Sequence, residues 1–112
     1  MSFYTVIKTE LGSKKFLICA LDEMKKRGEI KSYVHNEKKE KIEVDRDGDI
    51  LGISKQKEGA YEIGGDNRVV NSFSNRLKQF YAYEAIKENI PLDFEIAQET
   101  EIGGEIHILL KG

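Results

Sequence analysis

Residues 41–63 decide the fold, and they read KIEVDRDGDILGISKQKEGAYEI. Apolar and polar side chains alternate here with a period close to two, which is typical of strands buried on one face. With the residues just before it, the segment contains runs of this kind at 30–34, 41–44, 50–53 and 60–63. The intervening turns, at 36–38, 45–49 and 57–59, contain Gly, Asn or Asp, the residues that best tolerate a positive φ. We therefore predict an antiparallel meander.

A strand and a helix precede the meander. The opening Phe3-Tyr4-Thr5-Val6-Ile7 is aromatic and β-branched, which predicts a strand buried for much of its length. Ser13 is a candidate N-cap and Gly28 a candidate helix end. Between them, apolar residues recur at helical spacing at Leu17, Ala20, Leu21 and Met24. The sequence therefore predicts a first helix in this interval.

A second helix is predicted after the meander. Gly64-Gly65-Asp66-Asn67 is typical of a strand-to-helix turn, and the helix should run to about Asn89, where Pro91 stops it. One apolar stripe should pack on the sheet, namely Val70, Phe73, Leu77, Phe80, Tyr81 and Ala85. A second group points elsewhere, namely Ala82, Tyr83, Ile86 and Ile90. Since this group is also apolar, it must be buried against another element of the chain or against a partner.

The chain closes with a predicted hairpin, formed by residues 94–97 and 106–110 with a turn near 102–104. The order strand, helix, several strands, helix, hairpin predicts an α+β fold. We expect a single domain over residues 1–112. Its antiparallel sheet should have about six or seven strands and be covered on one face by two helices.

The composition excludes several classes of protein. Apolar residues make up 39% and charged residues 34%, which is enough for a packed core and argues against disorder. The net charge of −2 comes from interleaved acids and bases, which disfavours generic binding to DNA. No apolar run approaches the roughly 20 residues that span a bilayer, and the single Cys19 cannot form an internal disulfide. We expect a cytoplasmic protein, in the host cytoplasm if a phage encodes it.

Two segments carry a resemblance to a known family: residues 2–9, SFYTVIKT, and residues 77–87, LKQFYAYEAIK. They are similar to the uncharacterised hypothetical chloroplast reading frame thirty-five family, which has plastid, cyanobacterial, bacterial and phage members. The runs at 50–53 and 60–63 and the terminal hairpin fall where that family has paired strands. This sequence lacks the tryptophans that many members carry before the second helix. The resemblance implies this fold and a non-catalytic role, and it identifies no ligand.

The segment Gly64-Gly65-Asp66-Asn67-Arg68 is the first candidate site. Free backbone amides at a helix N-terminus, with a guanidinium beside them, can hold a phosphate or carboxylate. The spacing matches neither a P-loop nor a dinucleotide-binding fingerprint. The alternative interpretation is a structural turn in which Asp66 or Asn67 caps the helix.

Tyrosine rings form the second candidate site. Tyr61 and Tyr83 could stack on a base while Arg76 or Arg68 contacts a phosphate. The alternative places both rings in the core or at an interface. The complete predicted ligand-binding set is Gly64, Gly65, Asn67, Arg68, Tyr61, Arg76 and Tyr83.

The sequence contains no motif for catalysis or metal binding. His35, His107 and Cys19 are far apart and lack the spacing of a zinc site, and neither imidazole has an evident partner for work as a general base. The acidic turn at 45–49 lacks the later glutamate of a calcium loop. We predict no catalytic residue, no metal and no cofactor.

Two functions remain open at this point. In the first, which we prefer narrowly, a non-catalytic protein binds and sequesters a small anionic ligand, such as a (cyclic) nucleotide signal, as phage anti-defence proteins do. In the second, the chain is a protein interaction or oligomerisation module in which Tyr83, Ile86 and Ile90 dock a second copy or another protein. A homo-oligomer is compatible with both.

Overall fold

The computed structural model describes residues 4–88, 95–102 and 105–111. The elements in chain order are β1 Tyr4–Lys8, α1 Lys14–Lys26, β2 Ser32–Asn36, β3 Lys41–Arg46, β4 Asp49–Lys55, β5 Tyr61–Asp66, α2 Asn67–Glu88, β6 Glu95–Ile102 and β7 Glu105–Lys111. The α+β class is confirmed, and β2 to β5 pair in succession as the predicted meander. The predicted helix end near Asn89, the stop at Pro91 and the side chain of Ile90 lie outside the described residues.

The predicted single sheet of six or seven strands is not confirmed, because the described strands form two sheets. The sheet has five strands in the order β1-β5-β4-β3-β2, all neighbours being antiparallel. The final hairpin, β6 and β7, is a separate two-stranded sheet, and β7 contacts α2. β1 pairs with the side of β5 opposite β4, and α2 follows β5 directly in the chain and precedes the hairpin.

The core lies between the helices and one face of the five-stranded sheet. Apolar residues of α1 and α2 pack there with alternate residues of β3, β4 and β5, namely Leu17, Ala20, Leu21 and Met24 with Ile42, Val44, Leu51, Ile53, Tyr61 and Ile63, and with Val70, Phe73, Leu77 and Phe80. The residues between them on the strands point to the other side. One face of the sheet is therefore dry, and the opposite face is available to solvent.

Helix α1 starts where the sequence predicts, and a residue of α2 secures that start. The Ser13 hydroxyl accepts a hydrogen bond from the Phe16 N–H, as an N-cap does. The Ser13 N–H in turn donates to the Tyr81 hydroxyl at 2.9 Å, and the Tyr81 ring meets Phe16 edge-on at 5.8 Å. At the other end, Gly28 has a φ of 78°, which allows the chain to leave the helix. The two helices are thus joined at the beginning of α1.

A tyrosine of β2 connects α1 to the sheet through a hydrogen bond. The Tyr33 hydroxyl donates to the carboxylate of Asp22 on α1. Partial burial, followed by this hydrogen bond, raises the pKa of Tyr33 to about 12. The phenol therefore stays protonated, as the hydrogen bond requires, throughout the neutral range.

The predicted turn at Gly64-Gly65 is also wrong, because both glycines belong to β5. They pair in register with Val6 and Thr5 of β1, and α2 begins directly after Asp66. A Cβ at position 65 would lie 2.6 Å from Leu51 Cδ2 in the core, and one at position 64 would collide with the Tyr4 side chain. Glycine is therefore needed here for close packing on both faces of the strand, not for a turn.

We predict that Gly65→Ala destabilises the protein more than Gly64→Ala. Leu51 is fully buried and cannot withdraw from the new methyl group, so overpacking should lower the free energy of unfolding by about 1–3 kcal/mol. Tyr4 is 71% exposed and can rotate away from position 64, so that variant should stay near the wild type. Urea denaturation of both variants measures the difference. Equal losses would contradict the packing role of Gly65.

Candidate functional site

The helix start at Asp66-Asn67-Arg68 forms hydrogen bonds within the chain. The Asp66 carboxylate accepts from the Arg68 N–H at 2.8 Å, and it also binds the guanidinium through Nε at 3.1 Å and Nη2 at 3.0 Å. The Thr5 hydroxyl donates to the Asn67 side-chain oxygen at 3.0 Å. Asp66 therefore caps α2, as the alternative interpretation of this segment predicted.

The same contacts bear on the anion-binding prediction for Arg68. Its side chain is 75% exposed, but its Nε and Nη2 donors face Asp66, whose hydrogen bond and charge raise the pKa of the guanidinium. The Arg68 backbone N–H at the start of α2 also donates to this carboxylate. An anion that used these donors would have to displace Asp66.

Arg76 is placed in a structural ion pair. Its Nε and Nη2 atoms each lie 2.6 Å from a carboxylate oxygen of Glu29, in the segment after α1, and the guanidinium lies 4.9 Å from the centre of the Phe80 ring. The Arg76 side chain is only 18% exposed. Since Arg68 and Arg76 are eight residues apart on one helix, about 12 Å along its axis, they do not form one cluster.

Both predicted stacking tyrosines are buried. Tyr61 is 4% exposed and belongs to the core, and its burial raises the pKa of its hydroxyl. Tyr83 is 9% exposed, and the Lys87 ammonium lies 4.5 Å from the centre of its ring. Tyr83 is therefore buried within its own chain, which is one of the two outcomes expected for the second apolar group of this helix. Ile86 does remain exposed on this helix, at 41%.

The structure also places the residues considered for catalysis and metal binding. Cys19 is half-buried on α1, and His35 is half-buried on β2. The side chain of His107 lies outside the described residues. Within the described part of the chain, no three His, Cys, Asp or Glu side chains lie close enough to hold a metal ion. Among the described residues, no helix combines the length and apolar character needed to cross a membrane.

The sheet face opposite the helices, which we call the open face, is the surface that sequence reasoning missed. Three rows of side chains cross it at right angles to the strands, each read in the order β1, β5, β4, β3, β2. The first row is Tyr4, Asp66, Ile50, Asp45 and Ser32; the second is Val6, Gly64, Gly52, Glu43 and Val34; the third is Lys8, Glu62, Ser54, Lys41 and Asn36. The first row places Asp66 beside Ile50 by continuing the register of Gly64 opposite Gly52 for two residues.

Exposed apolar side chains are concentrated on the open face. Six large apolar side chains of the described residues are exposed, and four of them lie here: Tyr4 at 71%, Val34 at 67%, Ile50 at 59% and Val6 at 49%. The expectation that the opening strand is buried for much of its length is therefore wrong. That strand is apolar on both of its faces, and this was the signal in the sequence for a second apolar surface.

Two glycines lie in the middle of the open face. Gly52 and Gly64 are direct partners on the central strands β4 and β5. The Tyr4 side chain extends over Gly64 from one side, and the end of the Lys41 side chain lies over Gly52 from the other. On the β2–β3 side of the face lies a depression of about 190 Å³, lined by Val34, Asn36, Lys39, Lys41 and Glu43.

We predict that Arg76→Ala lowers the free energy of unfolding by about 2 kcal/mol, because it leaves the half-buried Glu29 carboxylate without its partner. Arg68→Ala is the matched control and should leave stability close to that of the wild type, since its ion pair is exposed to solvent. Thermal and urea unfolding of the two variants would test this. An Arg76→Ala variant as stable as the wild type would contradict a stabilising role for this ion pair.

Comparison with known proteins gives no relative for this chain: no family model, no curated protein and no solved structure matches it.

Proposed function

We propose that this chain is a non-catalytic interaction module whose open face binds a protein partner. The observation that carries the proposal is the gathering of Tyr4, Val6, Val34 and Ile50 on one side of the sheet. Monomeric proteins rarely expose a large contiguous apolar surface, and those that do generally use it for binding. The resemblance to the chloroplast reading frame thirty-five family, with its non-catalytic implication, belongs to the same proposal.

The polar residues of the open face are consistent with this role. Its third row contains Lys8, Glu62 and Lys41, and its first row contains Asp66 and Asp45. Charged residues in protein interfaces set the orientation of the partner and select it. An open sheet face also suits a broad protein surface better than a small molecule, which prefers an enclosed cavity.

The test of this function compares two exposed isoleucines. Immobilised wild-type protein, Ile50→Lys and Ile86→Lys are incubated with lysate of the source cells, and retained proteins are quantified. A partner of the open face should be retained at least about tenfold less by Ile50→Lys, because the charge lies inside the interface. Ile86→Lys, on α2, should retain it normally.

Equal retention by all three proteins would remove the open face from the proposal. Circular dichroism of each variant controls for folding. Both substitutions are made at exposed positions, so the fold itself should be unaffected.

Binding of a small anionic ligand, such as a nucleotide, is the second candidate function. Two observations favour it: the Arg68 guanidinium is largely exposed, and the depression on the open face carries Lys39 and Lys41. Because Arg68 must exchange the Asp66 carboxylate for the ligand, the gain from binding would be smaller than for a free guanidinium.

Calorimetric titration with a panel of nucleotides tests this candidate. If the ligand contacts Arg68, Arg68→Ala should weaken binding by no more than the roughly 1.5–3 kcal/mol of a charge-assisted hydrogen bond, because the wild-type guanidinium gives up Asp66 when it binds the ligand. Lys26→Ala, at the exposed end of α1, is the control and should bind as the wild type does. Loss of binding in Lys39→Ala alone would place the ligand in the depression, and absence of heat with every nucleotide would argue against the function.

A further inference from the structure

We propose that the partner of the open face is a second copy of this chain, docked face to face about a twofold axis that runs along β4. This inference rests on the proposed function, because it uses the same surface. It differs from the homo-oligomer expected from sequence, which used Tyr83, Ile86 and Ile90 of α2. Tyr83 is buried within its own chain and contributes little to such a contact.

The position of β4 makes this axis possible. β4 is the third of five strands, so a rotation of 180° about it places β1 of one copy over β2 of the other, and β5 over β3. Each of the three rows then lies over the same row of the second copy, read in the opposite order. In such a twofold interface the same patch must complement itself. Two sheets packed in this way remain within about 30° of alignment, so opposite positions stay close.

The apolar residues of the open face match under this rotation. In the second row, Val6 on β1 meets Val34 of the second copy, since both occupy the outermost strands. In the first row, Ile50 on β4 meets Ile50 of the second copy at the axis. The three apolar contacts therefore span the width of the sheet, with one at the centre and one at each side.

The charged residues match in the third row. Glu62 on β5 and Lys41 on β3 lie at equal distances from β4 and have opposite charge. Each Glu62 therefore faces Lys41 of the second copy, and the symmetry produces this ion pair twice. Opposite charges at mirror positions are what a self-complementary face requires, whereas like charges would forbid it.

The rotation also brings two carboxylates together, and a neighbouring arginine offsets their repulsion. In the first row Asp66 faces Asp45 of the second copy, but Asp66 already binds the Arg68 guanidinium through both carboxylate oxygens. Arg68 therefore supplies positive charge at the point where Asp45 arrives. In the second row Glu43 faces Gly64 of the second copy, over which the Tyr4 side chain of that copy extends.

The size of the face is sufficient for a dimer of moderate strength. Five strands about 4.8 Å apart, each presenting about 17 Å of its length, give a flat footprint of about 400 Å² per copy. The accessible surface is greater than its flat projection, so the pair should bury roughly 1,000–1,200 Å², at the lower end of specific interfaces. The dimer should therefore dissociate on dilution into the micromolar range.

Sedimentation velocity of purified protein tests the arrangement through two charge reversals. Wild type should be dimeric at high concentration. Lys41→Glu places a glutamate against Glu62 of the second copy, and Glu62→Lys places a lysine against Lys41. The symmetry repeats each repulsion, so each variant should raise the dimer Kd at least about tenfold. An equimolar mixture should regain the dimer, because both cross-copy pairs are then opposite in charge. Lys26→Glu, on α1, should dimerise as the wild type does.

The mixture distinguishes contacts between copies from those within one chain, and its recovery shows that both variants are folded. A monomeric wild type, a dimer unaffected by either reversal, or a mixture that stays monomeric would each overturn the dimer. If the protein is monomeric while Ile50→Lys abolishes retention of another protein, the interaction function survives and the second copy is excluded. If Ile86→Lys alone dissociates the dimer, the contact lies on α2 and this inference is wrong.

Discussion

β1 and β5 meet along five residue pairs, from Tyr4 opposite Asp66 to Lys8 opposite Glu62. This pairing joins residues some sixty positions apart and brings the N-terminal strand to the edge of the meander. Glycine at positions 64 and 65 of β5 leaves space for Leu51 on the core side and Tyr4 on the open side. Without β1, the sheet would lack its fifth strand and the open face would lose Tyr4 and Val6.

The arginines of this chain show how charge is used to position elements. Arg68 binds Asp66 at the start of α2, and Arg76 binds Glu29 beside the Phe80 ring. Arg46 on β3 donates to the Ser72 hydroxyl at 2.8 Å, which links the sheet to the first half of α2. In each case a planar guanidinium joins α2 to its surroundings. Arg68 and Arg76, which the sequence alone suggests as phosphate ligands, thus help to position α2.

Local signals in the sequence predict local structure well here. The Ser13 cap and the Gly28 end mark α1, and the alternation in residues 41–63 marks the meander, because each depends on near neighbours in the chain. The partner of β1 and the separation of the final hairpin were not predictable in this way. Both depend on which strand edge remains free after folding, and that is a property of the whole chain.

The candidate site was predicted less well, for a related reason. Gly64 and Gly65 look like a turn in sequence, and their place inside β5 follows only from the side chains that pack against them. The open face required knowing which residues of five strands share a side. Its apolar positions are scattered through the sequence at Tyr4, Val34 and Ile50, and only the register brings them together.

The hydrogen bond from the Ser13 N–H to the Tyr81 hydroxyl has a consequence for the order of folding. Helix α1 follows β1 early in the chain, yet part of its N-terminal capping comes from a residue sixty-eight positions later. An isolated N-terminal segment would therefore begin its helix with one amide unsatisfied. Contacts of such long sequence separation form late and tie distant segments into one cooperative unit. The first helix of the chain is thus completed only when the second has docked beside it.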